Sequence, residues 1–318
     1  MDTLNIINSI RNNIKSSIVG NDEAIDLMLI SLFAGGHVLL EDVPGTGKTM
    51  LVKSLAASVS CDFKRIQFTP DLLPSDITGV NFFNMKKSEF EFIPGPIFAN
   101  ILLADEINRA TPRTQSGLLE CMEERQATID GKTYKLAAPF MVVATQNPVE
   151  NMGTFPLPEA QLDRFLVKTS LGYPDVDANV EILCRFGSSS EVKGAKAVAS
   201  AEDIVSCQNA HSEIFAHKDL LKYISVITEK TRKAPGVLLG VSPRGSIALL
   251  KVAKGFALIA GRKYILPDDI KKAAVPTLAH RLVLTGSEQL KKDSAAAIIN
   301  DILSSTPVPT EAHFENLS

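Results

Sequence analysis

The residues best suited to chemistry stand in the stretch EDVPGTGKTM, residues 41–50, between an apolar run and a helical pattern. Gly45 and Gly47 let the backbone turn its N–H groups inward, as in loops that bind phosphate at the start of a helix. Lys48 can then reach the β- and γ-phosphates of a nucleotide, and Thr49 can offer its hydroxyl to Mg²⁺. The stretch therefore predicts a nucleoside triphosphate site.

Position 42 departs from the usual spacing of such a loop. In the pattern G-x-x-x-x-G-K-[ST] the first glycine falls where this chain has Asp42. A triphosphate repels a carboxylate, so we expect the Asp42 side chain to point away and to accept a backbone N–H. The alternative is a glycine turn with a chance Gly-Lys-Thr, and the strand before it and helix after it argue against that. No NKxD-type guanine motif is present, which favours adenine and hence ATP.

Polar side chains follow two further apolar runs that are predicted to be buried strands. ILLADEINRA ends its run in Asp105 and Glu106, and FMVVATQNP leads to Asn147. The carboxyl ends of parallel strands meet at one edge of a sheet, which brings these groups beside the loop. Asp105 can hold Mg²⁺, Glu106 can deprotonate the attacking water, and Asn147 can contact the γ-phosphate. A helix cap and an Asn-Pro turn are the simpler alternatives.

The stretch PLPEAQLDRFLV, residues 156–167, places Arg164 at the start of the next strand. That position lies at the flank of the domain, too far from Lys48 of the same chain. An arginine that contacts the transferring phosphoryl group raises the rate by roughly 10³ to 10⁵. In a head-to-tail ring this flank meets the nucleotide of the next subunit. A surface ion pair between Asp163 and Arg164 is the alternative, and sequence alone does not decide between them.

These residues require a doubly wound parallel sheet to bring them together. Short apolar runs predict its buried strands at residues 37–40, 63–68, 101–104, 140–145 and 165–170. Helical patterns occupy residues 4–18, 22–33 and about 48–59. Two hairpins are predicted within this half, at about 77–98 and about 125–136, the second turning at Asp130-Gly131.

The second half of the chain is predicted to be helical, with no convincing strand. Ser242-Pro243 fits the N-cap and first position of a helix that reaches Ala260, and a last helix covers about 293–304. The Pro-rich residues 306–318 are expected to form a flexible tail. The predicted organisation is an α/β core at 1–173 followed by a smaller all-α domain at 174–305.

Composition narrows the class of protein. The chain is 45% hydrophobic and 22% charged, with a net charge of -3 and a pI near 6.0, so nothing global indicates a nucleic-acid or membrane partner. No apolar run is long enough to cross a bilayer, and the first residues show no secretory signal. The four cysteines are widely spaced, which favours a reducing compartment over disulfides or zinc. We therefore expect a cytoplasmic protein.

Taken together, the motifs resemble those of the AAA+ ATPases and, within them, the MoxR family. The resemblance covers nearly all of the first 170 residues, through EDVPGTGKT, RIQFTPDLLPSDITG, GPIFAN, ILLADEINRA, ATQNP and PLPEAQLDRF. It implies Walker A at Lys48 and Thr49, Walker B at Asp105 and Glu106, sensor 1 at Asn147 and an arginine finger at Arg164. This family commonly lacks the first glycine of the loop.

The resemblance also implies roles outside these motifs. Arg244 in GVSPRGS resembles sensor 2 on a helical lid, and the hairpins match the helix-2 insert and the pre-sensor-1 insert, which face the pore in related machines. Arg109 and Arg113 are further candidate interface arginines. The residues expected to bind ATP are Val19, Gly20, Pro44, Gly45, Thr46, Gly47, Lys48, Thr49, Met50 and Asp105, with Thr49 and Asp105 as Mg²⁺ ligands.

The function implied by the resemblance is that of an ATP-hydrolysing chaperone that remodels, matures or activates a protein complex. The chain is expected to form a nucleotide-dependent ring, a hexamer, and to act with a partner that carries a von Willebrand factor A domain. A nucleic-acid motor, a metal-chelatase motor subunit, a small-molecule kinase and a binding module without turnover are the alternatives. The hairpin tip DGK offers only Lys132, which argues against a DNA pore. The sequence does not identify the client.

Overall fold

The computed structural model describes residues 3–148, 153–186, 196–289 and 294–309. The strands, in chain order, are β1 (Val38–Glu41), β2 (Phe63–Gln67), β3 (Gly79–Asn84), β4 (Glu89–Pro94), β5 (Ile101–Asp105), β6 (Gln126–Ile129), β7 (Lys132–Lys135), β8 (Met141–Gln146), β9 (Val167–Thr169), β10 (Val237–Leu239) and β11 (Val283–Leu284). The helices are α1 (Thr3–Ser17), α2 (Asp22–Phe33), α3 (Lys48–Ser58), α4 (Pro74–Thr78), α5 (Pro112–Glu124), α6 (Glu159–Leu162), α7 (Val176–Phe186), α8 (Ala201–Glu213), α9 (Lys218–Lys233), α10 (Pro243–Ile259), α11 (Pro267–Leu278), α12 (Gly286–Gln289) and α13 (Ser294–Ser304).

A parallel sheet of five strands forms the centre of the first domain, in the order β2-β5-β8-β1-β9. Strands β1, β5 and β8 are almost entirely buried, as expected for parallel strands covered on both faces. The predicted strands and the doubly wound sheet are confirmed. Because all five strands are parallel, the segments that follow β1, β5 and β8 lie along one edge.

The two faces of the sheet pack against different parts of the chain. Val38 and Leu40 point into a core that α1, α2, α3 and the second domain share, whereas Leu39 points into a core formed with α4, α5 and the hairpins. Alternation along a strand separates the two cores. Residues such as Ile7, Ile10 and Ile14 of α1 are fully buried, which confirms the predicted amphipathic helix.

Both predicted hairpins are present, as β3-β4 and β6-β7. Asp130 and Gly131 both have positive φ, which is the backbone conformation of a two-residue turn between antiparallel strands. The ring of Phe92 on β4 stacks on Tyr134 of β7 with 4.4 Å between centroids, and Asn81 donates a 2.8 Å hydrogen bond to the Asp130 carboxylate. The two hairpins therefore form one packed unit.

The second domain is helical, as predicted, and packs closely on the first. Ser242 caps α10 by accepting from the Gly245 N–H, and Gly255 lies so close to Ile30 of α2 that an added Cβ would meet its Cγ2 at 2.3 Å. Buried Arg281 binds Asp163 of the first domain, with 2.6 Å between Nε and Oδ1. The second domain therefore lies directly on the first.

The expectation of no strand in this half is wrong in one place, because β10 and β11 form a short antiparallel ribbon. These strands are three and two residues long, too short to show the alternation that identifies a strand. Within the predicted tail, Thr306 is buried, and residues 310–318 lie outside the described part. Among the described residues, no helix has the length and apolarity to span a membrane.

Candidate functional site

The phosphate loop follows β1 at the carboxyl edge of the sheet. Gly45 and Gly47 have φ values of +87° and +90°, and a Cβ added to either would meet nothing within 4 Å. Glycine is therefore required for backbone conformation, not for space. Gly47 is the N-cap of α3 and gives no side-chain cap, which leaves the first N–H groups of the helix for a ligand. The Lys48 ammonium donates to the carbonyls of Asp42 and Val43, so it already lies over the loop.

Asp42 points away from the loop, as predicted. Its buried carboxylate accepts hydrogen bonds from the backbone N–H groups of Leu171 and Gly172, at 2.5 and 3.3 Å. These two residues connect β9 to the second domain. The side chain that replaces the usual first glycine therefore fixes the phosphate loop to the segment that leads into the second domain.

Asp105 ends β5 and is held from both neighbouring strands. Its Oδ1 accepts from the Thr145 hydroxyl of β8 at 2.5 Å, and its Oδ2 accepts from Nε and Nη2 of Arg65 on β2 at 3.1 and 2.6 Å. The Thr145 hydroxyl also accepts from the backbone N–H of Glu106 at 2.8 Å. The orientation of this carboxylate is thus set by three hydrogen bonds beside the loop.

Glu106 has φ of 56°, which is uncommon for a residue with a side chain. Its Oε2 accepts from Nε2 of Gln67 on β2 at 2.7 Å and from Nη1 of Arg109 at 3.1 Å. Arg109 therefore contacts the predicted base in its own chain. Asn147 follows β8 directly and is 5% exposed, at the same edge of the sheet.

Val19 and Gly20, which are expected to bind ATP, lie beside the second domain. Val19 is buried, and a Cβ added to Gly20 would lie 3.7 Å from the Cβ of Ala178 on α7. Met50 is 39% exposed at the start of α3. Arg113, the other candidate interface arginine, lines a cavity between α4 and the two hairpins.

Arg164 and Arg244, the other two predicted site arginines, both bind the carboxylate of Glu123. Arg164 Nε lies 2.8 Å from Oε2 of Glu123, and Arg244 Nη1 lies 2.7 Å from its Oε1. Partial burial raises the pKa of Glu123, but the hydrogen bonds and charges of the two arginines outweigh this and hold the pKa below its ordinary value. The arginines are thus joined by one anion at the end of α5.

This arginine pair lies in a cleft of about 310 Å³ at the amino end of β1, near His37. At roughly 3.3 Å per residue, the path along β1 from His37 to Asp42 spans on the order of 16 Å. The phosphate loop and the arginine pair therefore lie at opposite edges of the sheet. Charged residues that line the cleft include Arg125, Arg164, Arg244, Lys251, Arg281, Glu123 and Asp163.

His37 is part of the same region but is neutral. Burial lowers its pKa to about 4. Its Nδ1 accepts from the Val142 N–H at 2.9 Å, and its Nε2 therefore carries the proton that it donates to the Met122 carbonyl at 3.1 Å. A second proton on Nδ1 would face an N–H donor.

Sequence reasoning did not identify Arg65, Gln67, Thr145 or Glu123. Arg65 and Gln67 lie two apart on a predicted strand, so their shared face was a usable signal, although the neighbour of that strand was not predicted. Glu123 gave none, because an acidic residue at a helix end is common on any surface.

Comparisons with known proteins identify the family of this chain. The model of the ATPase family associated with various cellular activities (AAA) matches residues 37–167, and that of the AAA lid domain matches residues 229–302. Chaperone MoxR1 of Mycobacterium tuberculosis is 42% identical over 305 residues, which cover 93% of this chain and 80% of that protein. The uncharacterized protein YeaC of Bacillus subtilis is 51% identical over 299 residues, which cover 94% of this chain and 93% of that protein.

A solved structure supports the same conclusion. A crystal structure described as that of a "putative ATPase" from Cytophaga hutchinsonii matches with a TM-score of 0.90 at 40% sequence identity, covering 97% of this chain and 96% of that one. Fold, sequence identity and coverage agree over almost the whole length. The chain belongs to the MoxR family of AAA+ ATPases.

Proposed function

We propose that this ATPase works as a head-to-tail ring, a hexamer, in which Arg164 and Arg244 complete the catalytic site of the neighbouring subunit. The observation that carries the proposal is their shared contact with Glu123 at the edge of the sheet opposite Lys48. Neither guanidinium can serve the phosphate loop of its own chain across that span. A ring brings the two edges of adjacent subunits together.

Within one subunit, the groups at the carboxyl edge have distinct tasks. Lys48 and the first N–H groups of α3 bind the phosphates of ATP. Glu106 takes a proton from the attacking water once it has left Gln67 and Arg109, and Asn147 holds the γ-phosphate in position.

The same edge fits Mg²⁺. The Thr49 hydroxyl and the Asp105 carboxylate supply the oxygen donors that this ion prefers, and Asp105 is buried and oriented. These two side chains would hold the ion together with the phosphates of the nucleotide and water. When bound with ATP, the ion neutralises charge on the phosphates.

Across the interface, the neighbour supplies the cations. A guanidinium that contacts the transferring phosphoryl group is worth roughly 10³ to 10⁵ in rate. Glu123 keeps Arg164 and Arg244 side by side until the phosphates of the next subunit replace it. The catalytic site is then complete only in the assembly.

We further propose that the cycle drives remodelling of a client protein complex, with a partner that carries a von Willebrand factor A domain. The relative named Chaperone MoxR1 supports the chaperone role. The first hairpin exposes apolar side chains and has no net charge, because Lys86 and Lys87 are balanced by Glu89 and Glu91. Lys132 at the tip of the second lies over the Tyr134 ring at 4.9 Å. This favours a protein client over a nucleic acid. The exposed apolar residues of the first hairpin are Val80, Phe82, Phe83, Met85, Phe90 and Ile93.

Mixing two inactive variants tests the shared site. Arg164→Ala retains Glu106, and Glu106→Gln retains Arg164. In a random equal mixture, roughly one site in four pairs an intact Glu106 with an intact Arg164 from its neighbour, so about a quarter of wild-type turnover returns. Each variant mixed with itself is the control, and co-purification of untagged Glu106→Gln with affinity-tagged Arg164→Ala confirms mixed assembly. Mixed rings without any recovered turnover would show that Arg164 does not act between subunits.

A further inference from the structure

The carboxylate assigned to Mg²⁺ already binds a cation from its own chain. The Arg65 guanidinium places Nε and Nη2 on Oδ2 of Asp105, at 3.1 and 2.6 Å, while the Thr145 hydroxyl takes Oδ1. The Asp105 side chain is 12% exposed and that of Arg65 is 46% exposed. We propose that Arg65 is a displaceable counter-ion of Asp105, which Mg²⁺ must replace when it enters with nucleotide. This inference rests on the metal assignment in the proposed function.

Mg²⁺ and the Arg65 guanidinium cannot both bind the Asp105 carboxylate at the same time. The planar guanidinium approaches Oδ2 with two N–H donors, so it fills the directions from which a metal or its water shell would approach. Mg²⁺ requires a nearly octahedral shell of oxygen atoms and carries two charges, which repel a guanidinium held beside it. Asp105 carries one charge, and Thr145 occupies its other oxygen. The ion and Arg65 therefore compete.

Arg65 has room to leave and a partner that connects it to the base. Its Nη2 also donates to Oε1 of Gln67 at 3.3 Å, and the amide nitrogen of Gln67 donates to Glu106 at 2.7 Å. Movement of Arg65 removes one of the contacts that orient the Gln67 amide. Arrival of the metal at Asp105 thus weakens the hold on Glu106, and metal loading and release of the base become linked.

The test measures how strongly Mg²⁺ improves ADP binding, with no hydrolysis involved. For each variant, the dissociation constant for ADP in EDTA is divided by that in Mg²⁺, both measured by calorimetry. We expect the ratio to rise about 1.5- to 5-fold in Arg65→Gln, the range that loss of one partly exposed ion pair gives. Lys64→Gln is the matched control, since Lys64 is exposed, precedes Arg65 and lies on the other face of β2. It loses the same charge and should keep the wild-type ratio.

The outcomes separate the two proposals. If the wild-type ratio is above one and Arg65→Gln has the same ratio, the role of Arg65 is overturned. The same holds if Lys64→Gln raises the ratio as much as Arg65→Gln does. If the ratio is one both in the wild type and in Asp105→Asn, Asp105 is not a Mg²⁺ ligand and the metal assignment is wrong. Arg65→Lys keeps the charge without the two-pronged contact, and its ratio should lie between those of wild type and Arg65→Gln. If Arg65→Gln does not fold, an Arg65→Lys ratio equal to wild type would overturn the inference.

Discussion

Neutralising Glu123 is expected to lower the ATP concentration at which the subunits assemble and hydrolyse. Glu123 holds Arg164 and Arg244 through contacts of 2.8 and 2.7 Å, and both must break before the guanidinium groups reach the phosphates of a neighbour. Glu123→Gln removes the charge and keeps the size of the side chain. The arginines are then less tightly bound in the free subunit, which favours the assembled state.

The size of the effect follows from exposure. The Glu123 side chain is 37% exposed, and those of Arg164 and Arg244 are 28% and 45% exposed, so solvent screens both pairs. Each pair is then worth about 0.2 to 1 kcal/mol, and the two together roughly 0.5 to 2 kcal/mol. With tenfold for each 1.4 kcal/mol, the ATP concentration for half-maximal assembly should fall by about 2- to 25-fold.

Assembly is measured by light scattering after gel filtration across an ATP series, and hydrolysis by phosphate release in the same series. Glu120→Gln, on an exposed residue one turn earlier on α5, is the matched control for loss of a negative charge. A midpoint for Glu123→Gln that equals or exceeds that of Glu120→Gln would refute the reasoning. It would mean that Glu123 supports the interface instead of withholding the arginines.

Three further outcomes are expected. Lys48→Ala should abolish ADP binding by calorimetry, and unchanged affinity would remove the phosphate-loop assignment. Burial depresses the folded-state pKa of His37 to about 4, so as the pH falls the unfolded state binds a proton before the folded state does. The free energy of unfolding should therefore decrease as the pH falls from 6.5 to 4, with a contribution from His37 that approaches about 1.4 kcal/mol per pH unit. His37→Gln, which can still donate to Met122 and accept from Val142, should flatten the urea-unfolding profile in that window, and a parallel profile would contradict the assignment. Asp42→Ala should cost about 1–3 kcal/mol in urea unfolding, because it leaves the buried Leu171 N–H without its acceptor; an unchanged midpoint would show that the contact is not needed.

The sheet and the phosphate loop could be predicted because their signals are local. Each central strand is a short apolar run, and the loop is defined by glycines whose positive φ no other residue adopts readily. The environment of the acids was not predictable in this way. Arg65 and Asp105 are 40 positions apart, and their pairing depends on β2 lying beside β5.

The arginine pair shows the same limit more strongly. Arg164 could be selected from its place before a strand, but its contact with Glu123 joins positions 41 apart, and that of Arg244 joins positions 121 apart. The first contact follows from the packing of α5 against the segment before β9, and the second from the packing of the second domain on the first. A charged residue at a helix end has no sequence pattern that distinguishes it from a solvated one.

The stacked hairpins have a mechanical consequence. An isolated two-stranded hairpin is only marginally stable in water. Here Phe92 rests on Tyr134 and Asn81 is bonded to Asp130, so bending one hairpin requires bending the other. The two hairpins therefore form one rigid unit with two connections to the sheet. The chain continues from β4 into β5 and from β7 into β8, the strands that end at the catalytic edge. When those strands shift, the hairpins move with them as a rigid body, and the exposed tip at Met85 is displaced.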